Sequence, residues 1–513
     1  RPIHASIVEA EPDESPEALA ARTLALSPDL VGLSLYSWNS VRLEAAGAAL
    51  KAARPGLVIV AGGPDASADP EALAARGPAD VVVAGEGERV IVDLVAAMLS
   101  GKPLPGPVVR TAPVDPAGLS SPWLDGTLDP GRWGGGALEL TRGCPYRCAF
   151  CFESKGEARL RRFPLETAGR ELERFEAAMV EEVFVLDPTF NAHPRFDEVL
   201  TVMRRENPGR RIAFFVEIRA DTLTDDQARR MAQAGVAEAE VGVQSTDPQV
   251  LKLLHRPLSE ARVLRGIASL LRHGIRPTLD FMYALPAQDE QDVQRSLDWL
   301  ARLGDAIHPQ FLPTLLLPGT ELRDRARELG LRAQRLPPYR VLATDRLSAR
   351  GLARVEAWAA DRLGGFDSPT RRFVGVRLPD LFPDRLSVDL ESGSKDLRVS
   401  ARANRQALIL TGEDLFARRE EIAALIRRCV RAEPHILWQF VLAPAAEEPL
   451  DLLDDLTDVL RTQSGHWLDR LVSPPGGPVR LCARRLFVKL PRGHAFAPSW
   501  IDDAEATLAG HYH

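Results

Sequence analysis

The sequence has 513 residues, of which 45% are hydrophobic and 26% are charged, and its net charge is −7 at pH 7. A chain of this length exceeds what one hydrophobic core usually serves, so we expect about three domains. The slightly acidic balance argues against nucleic acid as a partner, and the lack of an apolar run of about 20 residues argues against a membrane span.

Apolar runs and helix-like patterns alternate through the first hundred residues. Runs such as LVGLSLYS, LVIVAGG and ADVVVAGEGE predict strands, and segments with helical spacing separate them. This series of β-α-β units predicts a parallel sheet with helices on both faces. We assign residues 1–105 to a Rossmann-like domain. Because the opening run ASIVEA has the pattern of an inner strand, we expect the first strand and helix of this domain to be missing.

Three regions follow this domain. A stretch rich in proline and glycine, residues 106–136, is predicted to be a surface linker. From residue 137 the alternation resumes, and six β-α units in a row predict a partial (β/α)6 barrel over residues 137–345. The pattern then loosens, so residues 346–513 are predicted to form a separate α+β domain, which we expect to cover the substrate.

Three of the five cysteines lie within the segment TRGCPYRCAFC, at residues 144, 148 and 151. Thiols at this spacing can converge from one loop onto a single inorganic centre. A structural zinc ion normally takes four Cys or His ligands in two pairs, and no second pair follows at that spacing. A [4Fe–4S] cluster held by three thiolates keeps one iron open for a substrate or cofactor. The spacing favours the cluster, with zinc and unliganded cysteines as the alternatives.

The position of this segment also bears on function. It begins directly after the first strand of the predicted barrel, and barrels carry their chemistry at the carboxyl ends of their strands. Five cysteines in so long a chain, three of them clustered, cannot form a disulfide framework. We therefore expect a reducing, cytoplasmic compartment.

With Phe150 in the aromatic place, the motif Cys-x3-Cys-x-aromatic-Cys resembles the signature of the radical S-adenosylmethionine (SAM) enzymes. The resemblance implies that Cys144, Cys148 and Cys151 ligate a [4Fe–4S] cluster whose open iron is chelated by SAM. One electron would then cleave SAM to a 5′-deoxyadenosyl radical. An electron donor such as a flavodoxin or a ferredoxin is therefore implied as a partner.

The same resemblance implies which residues contact SAM. Phe150 would pack near the adenine. Polar residues at two strand ends would lie near the ribose and carboxylate, namely Glu217 and Arg219 in EIRAD and Gln244 and Ser245 in VGVQS. The segment LDPTFN lies where many members carry a glycine-rich turn, and those glycines are absent here. From the residues alone, Glu217 and Arg219 could instead form a structural ion pair.

The N-terminal region resembles the cobalamin-binding domain that one branch of this family carries before its barrel. Its segments SLYSWN, AGGPDAS and GEGE fall where that fold contacts cobalamin, which implies contacts by Ser34, Tyr36, Trp38, Gly62, Gly63, Gly85, Glu86 and Gly87. Glycines there would let the backbone approach a large flat ligand. On other interpretations, Trp38 is a core residue and the glycine pair marks a strand-to-loop turn. The Asp-x-His-x-x-Gly motif that supplies an axial histidine in some cobalamin proteins is absent.

The resemblance implies a cobalamin-dependent radical SAM enzyme, with a C-methyltransferase as the leading hypothesis. Its substrate would be a small molecule or a peptide methylated on carbon, and no catalytic residue can be named from the sequence. An enzyme that uses cobalamin for cyclisation, oxidation or rearrangement is an alternative. A non-catalytic iron–sulfur or corrinoid carrier is an alternative of another class.

Overall fold

The computed structural model describes residues 3–10, 14–133, 135–153, 159–363, 373–375, 382, 385–392, 405–432, 436–463, 466, 483–491 and 493–512. Within these ranges the strands form sheets of four, six and five strands and two short antiparallel pairs. In the described ranges, every helix is too short or too polar to cross a membrane.

The first sheet is parallel and has its strands in chain order, β1 (Leu30–Ser34), β2 (Val58–Gly62), β3 (Val81–Ala84) and β4 (Val108–Arg110). Its helices are α1 (Pro16–Ala25), α2 (Ser40–Ala53), α3 (Pro64–Ala68), α4 (Pro70–Arg76) and α5 (Glu88–Leu99). This confirms the predicted Rossmann-like fold. The predicted linker is not structureless, because β4 lies within residues 106–136 and pairs with β3.

The middle region contains the barrel. Its strands are β5 (Gly135–Leu138), β6 (Thr141–Arg142), β7 (Arg161–Arg162), β8 (Glu182–Val185), β9 (Ala213–Ile218), β10 (Val236–Gln244), β11 (Arg276–Tyr283), β12 (His308–Pro313), β13 (Arg332–Ala333) and β14 (Val341–Ala343). Its helices are α6 (Pro130–Trp133), α7 (Leu165–Ala177), α8 (Phe196–Glu206), α9 (Asp225–Gln233), α10 (Pro248–Leu253), α11 (Glu260–Arg272), α12 (Glu290–Leu303), α13 (Glu321–Asp324) and α14 (Ala349–Leu363). Six of the strands form one parallel sheet in the order β12-β11-β10-β9-β8-β5. Since β12 and β5 are its two edges, the predicted partial (β/α)6 barrel is confirmed.

The two faces of this sheet differ in character. Along β9 and β10 the aliphatic side chains of Val216, Val241 and Val243 are buried in the main core, against the surrounding helices. Side chains alternate between the faces of a strand, so Glu217 and Glu240 point to the opposite, barrel-interior face. Both are only partly buried there. The outer face of these two strands is therefore apolar, and their interior face carries carboxyl groups.

The C-terminal region contains the third sheet. Its strands are β15 (Val374–Gly375), β16 (Arg385–Asp389), β17 (Arg405–Gly412), β18 (Leu437–Pro444) and β19 (Arg484–Lys489), and its helices are α15 (Arg419–Ala432), α16 (Asp451–Thr462) and α17 (Pro498–Tyr512). The described pairings, in the order β15-β19-β18-β17-β16, are all parallel. The α+β prediction for residues 346–513 is therefore corrected to a parallel α/β arrangement. Helices α15 and α16 supply crossovers of the kind that parallel neighbours require.

Candidate functional site

The cysteine loop, residues 143–160, leaves the barrel at the carboxyl end of β5 and is bracketed by the antiparallel pair β6 and β7. Cys144 and Cys148 are buried, and Cys151 is partly buried. The backbone of Ala149 ties the loop to the barrel mouth, since its N–H donates to the Leu254 carbonyl at 3.0 Å and its carbonyl accepts from Leu322 N–H at 2.8 Å. The three thiols therefore sit where the sequence predicted them.

The three thiols are close enough to act on one another. Burial, and then the charges of the two other thiols, raise the pKa of Cys151 to about 11. Burial likewise raises the pKa of Cys144. Among the described residues, no three His, Cys, Asp or Glu side chains are arranged around a single metal ion. Three thiols on one loop, within electrostatic reach of one another, fit a polynuclear cluster, whose binding would have to displace the thiol protons.

A cation lies beside the thiols. The Arg256 guanidinium donates from Nη1 to Cys148 Sγ at 3.3 Å and from Nη2 to the Gly242 carbonyl at 2.6 Å. A Cβ on residue 242 would lie 2.7 Å from Arg256 Nη2, so a larger residue there would require the guanidinium to shift. The positive charge offsets the negative charge of a thiolate-bound cluster, which further fits the group. Sequence reasoning missed Arg256.

Asp187, in the LDPTFN segment, fixes the start of the cysteine loop. Its Oδ1 accepts from Leu140 N–H at 2.8 Å and from Thr141 N–H at 2.9 Å, and its Oδ2 accepts from the Thr141 hydroxyl at 2.7 Å. Burial raises the pKa of Asp187 to about 6, although these three bonds favour its charged form. The segment that lacks the glycine-rich turn thus carries an aspartate that positions the loop.

Arg219 is engaged with protein groups. It forms a buried ion pair with Asp221 at 2.9 Å, and its guanidinium lies 4.4 Å from the ring centroid of Tyr146, inside the cysteine loop. The alternative of an ion pair with Glu217 is therefore not what the structure shows, because the partner is Asp221. A contact between Arg219 and SAM stays a prediction. Through its contact with the Tyr146 ring, Arg219 packs against the cysteine loop.

The other predicted SAM contacts lie around the same mouth. Gln244 ends β10 with a φ of +68°, and its side chain is buried. Ser245 is also buried and accepts from Asp247 N–H at 3.1 Å. Phe150 is partly buried against the main core. The structure brings these three residues to one end of the barrel, and their contacts with SAM stay predictions.

Glu217 belongs to a row of carboxyls in the barrel interior. It pairs in register with Glu240, and Asp280 follows on the next strand, opposite Gly242. Burial, and then the charges of Glu240, Glu153 and Asp187, raise the pKa of Glu217 to about 7. Glu240 and Asp280 were missed by sequence reasoning, since each is a single acid within a strand pattern.

The predicted cobalamin contacts cluster at the carboxyl edge of the first sheet. The rings of Tyr36 and Trp38 stack with centroids 4.4 Å apart, and Trp38 is 73% exposed, so it is not a core residue. Ser34 pairs in register with Gly62. Gly63 has a φ of +101°, and a Cβ there would lie 2.5 Å from the Leu35 carbonyl oxygen. The stacked rings, of which Trp38 is exposed and Tyr36 partly buried, and the glycine edge offer a surface for a ligand.

The GEGE segment follows β3 at the same edge. Gly85 N–H donates to the Ser67 hydroxyl at 3.0 Å, and Gly87 lies at the start of α5. The carboxylate of Glu86 accepts from Arg161 Nη1 at 3.0 Å and from Val114 N–H at 2.6 Å. A cobalamin contact by Glu86 stays a prediction, and its side chain is bound to the strand that closes the cysteine loop.

Two family models match the chain. The model of the radical SAM superfamily matches residues 138–300, and that of the B12 binding domain matches residues 4–95. These domains imply a [4Fe–4S] cluster, SAM and cobalamin as cofactors. The chain also resembles a solved structure, the radical SAM methyltransferase TsrM from Kitasatospora setae, with a TM-score of 0.51 and 19% identity. That match covers 63% of this chain and 73% of TsrM, and it shows the fold.

The curated relatives include several proteins that are named methyltransferases. The 2-(S-pantetheinyl)-carbapenam-3-carboxylate methyltransferase of Streptantibioticus cattleyicolor is 30% identical over 265 residues, which are 45% of this chain and 38% of that protein. The cobalamin-dependent radical SAM methyltransferase TokK of Streptomyces tokunonensis is 34% identical over 199 residues, 34% of this chain and 29% of TokK. The matched parts thus span less than half of either relative.

Proposed function

We propose that the chain is a cobalamin-dependent radical SAM enzyme, because a B12 binding domain and a radical SAM domain match consecutive parts of it, and that it methylates a carbon centre of a natural-product or peptide substrate. The two named methyltransferases above support this proposal through their identity to part of the chain. Methylation of an unactivated carbon needs hydrogen abstraction and methyl delivery at the same substrate atom. The two domains must therefore act on one shared space.

The junction between the domains is the observation that carries the proposal. Glu86 and Glu88, at the carboxyl edge of the first sheet, bind Arg161 and Arg142 respectively, the latter pair at 2.6 Å. Those two arginines are neighbours across β6 and β7, the strands that bracket the cysteine loop. The edge predicted to hold cobalamin is thereby attached directly to the loop predicted to hold the cluster.

When bound, the cluster and SAM supply hydrogen abstraction from the substrate, and cobalamin supplies the methyl group. The chain's own residues hold and orient these groups. Asp187 fixes the entry of the cysteine loop, and Arg256 places a positive charge beside Cys148. Tyr36 and Trp38 present their stacked rings at the edge of the B12-binding domain.

The proposal is tested by the fate of SAM in anaerobically reconstituted protein that contains cobalamin and a low-potential reductant. A methyltransferase of this kind releases S-adenosylhomocysteine, because one SAM is the methyl donor. It releases 5′-deoxyadenosine from a second SAM, because that SAM is the oxidant. With a substrate, we expect one of each per methylated product, and deuterium at the target carbon should appear in 5′-deoxyadenosine.

The control is the variant in which Cys144, Cys148 and Cys151 are replaced by alanine, which should form no 5′-deoxyadenosine. Formation of 5′-deoxyadenosine without S-adenosylhomocysteine would contradict methyl transfer and favour cyclisation, oxidation or rearrangement. Formation of S-adenosylhomocysteine without 5′-deoxyadenosine would indicate methylation of a nucleophilic carbon. If neither S-adenosylhomocysteine nor 5′-deoxyadenosine forms, the protein is a non-catalytic carrier.

A further inference from the structure

Three carboxyls form a row across the interior of the barrel, on three neighbouring strands. Glu217 on β9 and Glu240 on β10 are register partners. Asp280 on β11 pairs in register with Gly242, which lies two residues beyond Glu240 on the same face of β10. The row therefore runs diagonally towards the barrel mouth, below the strand ends that carry Gln244 and Arg219.

This row lacks a cation of its own. In the described part of the chain, none of the three carboxyls forms a salt bridge. Asp280 is 8% exposed, and its buried Oδ1 has no hydrogen-bond donor. The Arg256 guanidinium acts on Asp280 electrostatically, but its nitrogens donate to Cys148 Sγ and the Gly242 carbonyl.

The physical consequence is a site prepared for a positive charge. Buried carboxylates without partners are unfavourable, and neighbouring ones hold protons to limit their repulsion. Accordingly, burial and then the Glu240 carboxyl raise the pKa of Asp280 well above its usual range. A bound cation would replace that proton. It need not be a metal ion, because no three such side chains among the described residues are arranged around one.

An aromatic surface lies next to the carboxyls on the same interior face. Phe215, two residues before Glu217, stacks on Phe184 of β8 with ring centroids 4.8 Å apart. Phe184 is 36% exposed although it belongs to the barrel. Aromatic faces attract organic cations and pack against apolar groups. The carboxyls and the two rings together suit a ligand with an apolar body and a protonated amine.

We infer that Glu217, Glu240 and Asp280 form a substrate subsite that binds a protonated amine, with Phe184 and Phe215 packing against the adjoining apolar part. That the ligand is the methylated substrate rests on the proposed function. The subsite itself rests only on the arrangement of these side chains. It assigns the substrate to the class of amines with an apolar body.

The test compares a charged ligand with its neutral counterpart. The reconstituted holoprotein, saturated with SAM and cobalamin, is titrated by calorimetry with 2-phenylethylamine and with 2-phenylethanol. A charge-assisted hydrogen bond contributes about 1.5–3 kcal/mol, so the amine should bind at least roughly tenfold more tightly than the alcohol. Equal affinities, or no binding of the amine, would overturn the inference.

Substitutions of the carboxyls test whether the amine binds to them. Asp280→Asn and Glu240→Gln should each weaken the amine about tenfold or more and leave the alcohol unchanged. Neither should lower the melting temperature, because each change relieves repulsion between carboxyls. The matched control is Glu238→Gln on the same face of β10, whose carboxylate is already paired with Arg276 at 3.2 Å and Thr278. This control should bind the amine like the wild type.

The amine subsite can be distinguished from a SAM-binding role of the same carboxyls and from the methyl-transfer proposal. If the amine binds only without SAM, the row belongs to the SAM site, and the inference is wrong. Binding is measured without turnover, so the amine can fail to bind even though both products of SAM form in the turnover assay. The amine can equally bind although the products expected for methyl transfer do not form.

Discussion

Replacing Glu86 by glutamine should loosen the junction between the B12-binding domain and the cysteine loop. The Glu86 carboxylate accepts from Arg161 Nη1 at 3.0 Å and from Val114 N–H at 2.6 Å, and it lies 3.6 Å from Arg142 Nη1. Glutamine preserves the shape but removes the charge. Arg161 then loses its charged partner at an interface where both side chains are largely buried.

The size of the loss follows from burial. The side chains of Arg161 and Glu86 are 17% and 21% exposed. Removing one partner of a fully buried pair costs about 3–5 kcal/mol, whereas an exposed pair contributes about 0–1 kcal/mol. We therefore expect a loss of roughly 2–3 kcal/mol. In a cooperative unit of about 150–250 residues this lowers the melting temperature by roughly 4–12 °C.

The assay is thermal unfolding of wild type and variant, followed by circular dichroism in the same buffer. The matched control is Glu71→Gln in the same domain. Its salt bridge to Arg110 is also short, at 2.7 Å, but its two side chains are 64% and 61% exposed. The control should lose less than about 1 kcal/mol. Equal losses in the two variants would refute the reasoning from burial.

The pH dependence provides a second check on Glu86. Burial alone would raise the pKa of Glu86, but the Arg161 hydrogen bond, the Val114 amide and the charges of Arg142 and Arg161 outweigh it, so the pKa is lowered. Such a carboxylate stabilises the fold above its unfolded pKa, and this contribution is lost as the pH falls through the folded pKa. The difference between wild type and Glu86→Gln should therefore be constant down to about pH 5 and shrink below about pH 4.3. A difference that grew on acidification would contradict the assignment.

Three further predictions concern the cofactors. Replacing Cys144, Cys148 and Cys151 together by alanine should abolish the binding of about four irons per chain while the circular dichroism spectrum is retained; stoichiometric zinc without iron in the wild type would refute the cluster. Trp38→Ala should admit water to bound cobalamin and shift its visible spectrum towards a six-coordinate form, and an unchanged spectrum would place Trp38 away from the cobalt. Asp187→Ala should cost about 2–4 kcal/mol, because it leaves buried N–H and hydroxyl donors unpaired, and should speed the loss of iron to a chelator. Iron retention equal to wild type would show that the loop entry needs no such anchor.

The sequence predicted the barrel and the first domain because their patterns repeat along the chain. It did not distinguish the C-terminal arrangement, since fully buried strands such as β18 read as continuous apolar runs that could pair either way. The pattern of residues 5–10 predicts a strand. In the described residues 3–10 it forms none, and its side chains are largely exposed.

The candidate site shows the same division between local and distant information. The cysteines are recognisable because their spacing is local. Glu240 and Asp280 are 40 positions apart, and only the register of β10 against β11 brings them together. Arg256 is likewise 108 positions from Cys148, whose sulfur it contacts. Pairing of this kind depends on strand register, which a single sequence does not reveal.

The GEGE segment illustrates how one motif can serve two purposes. Its position at the carboxyl edge of the first sheet favours a ligand contact, and its glycines leave that edge bare. Its two glutamates, however, point to Arg161 and Arg142 on the strands that bracket the cysteine loop. The loop entry is held separately by Asp187 from the barrel. Because the B12-binding domain binds the strands at both ends of the cysteine loop and the barrel also holds its entry, the positions of the thiols depend on both domains. Displacing the B12-binding domain should therefore also displace the thiols.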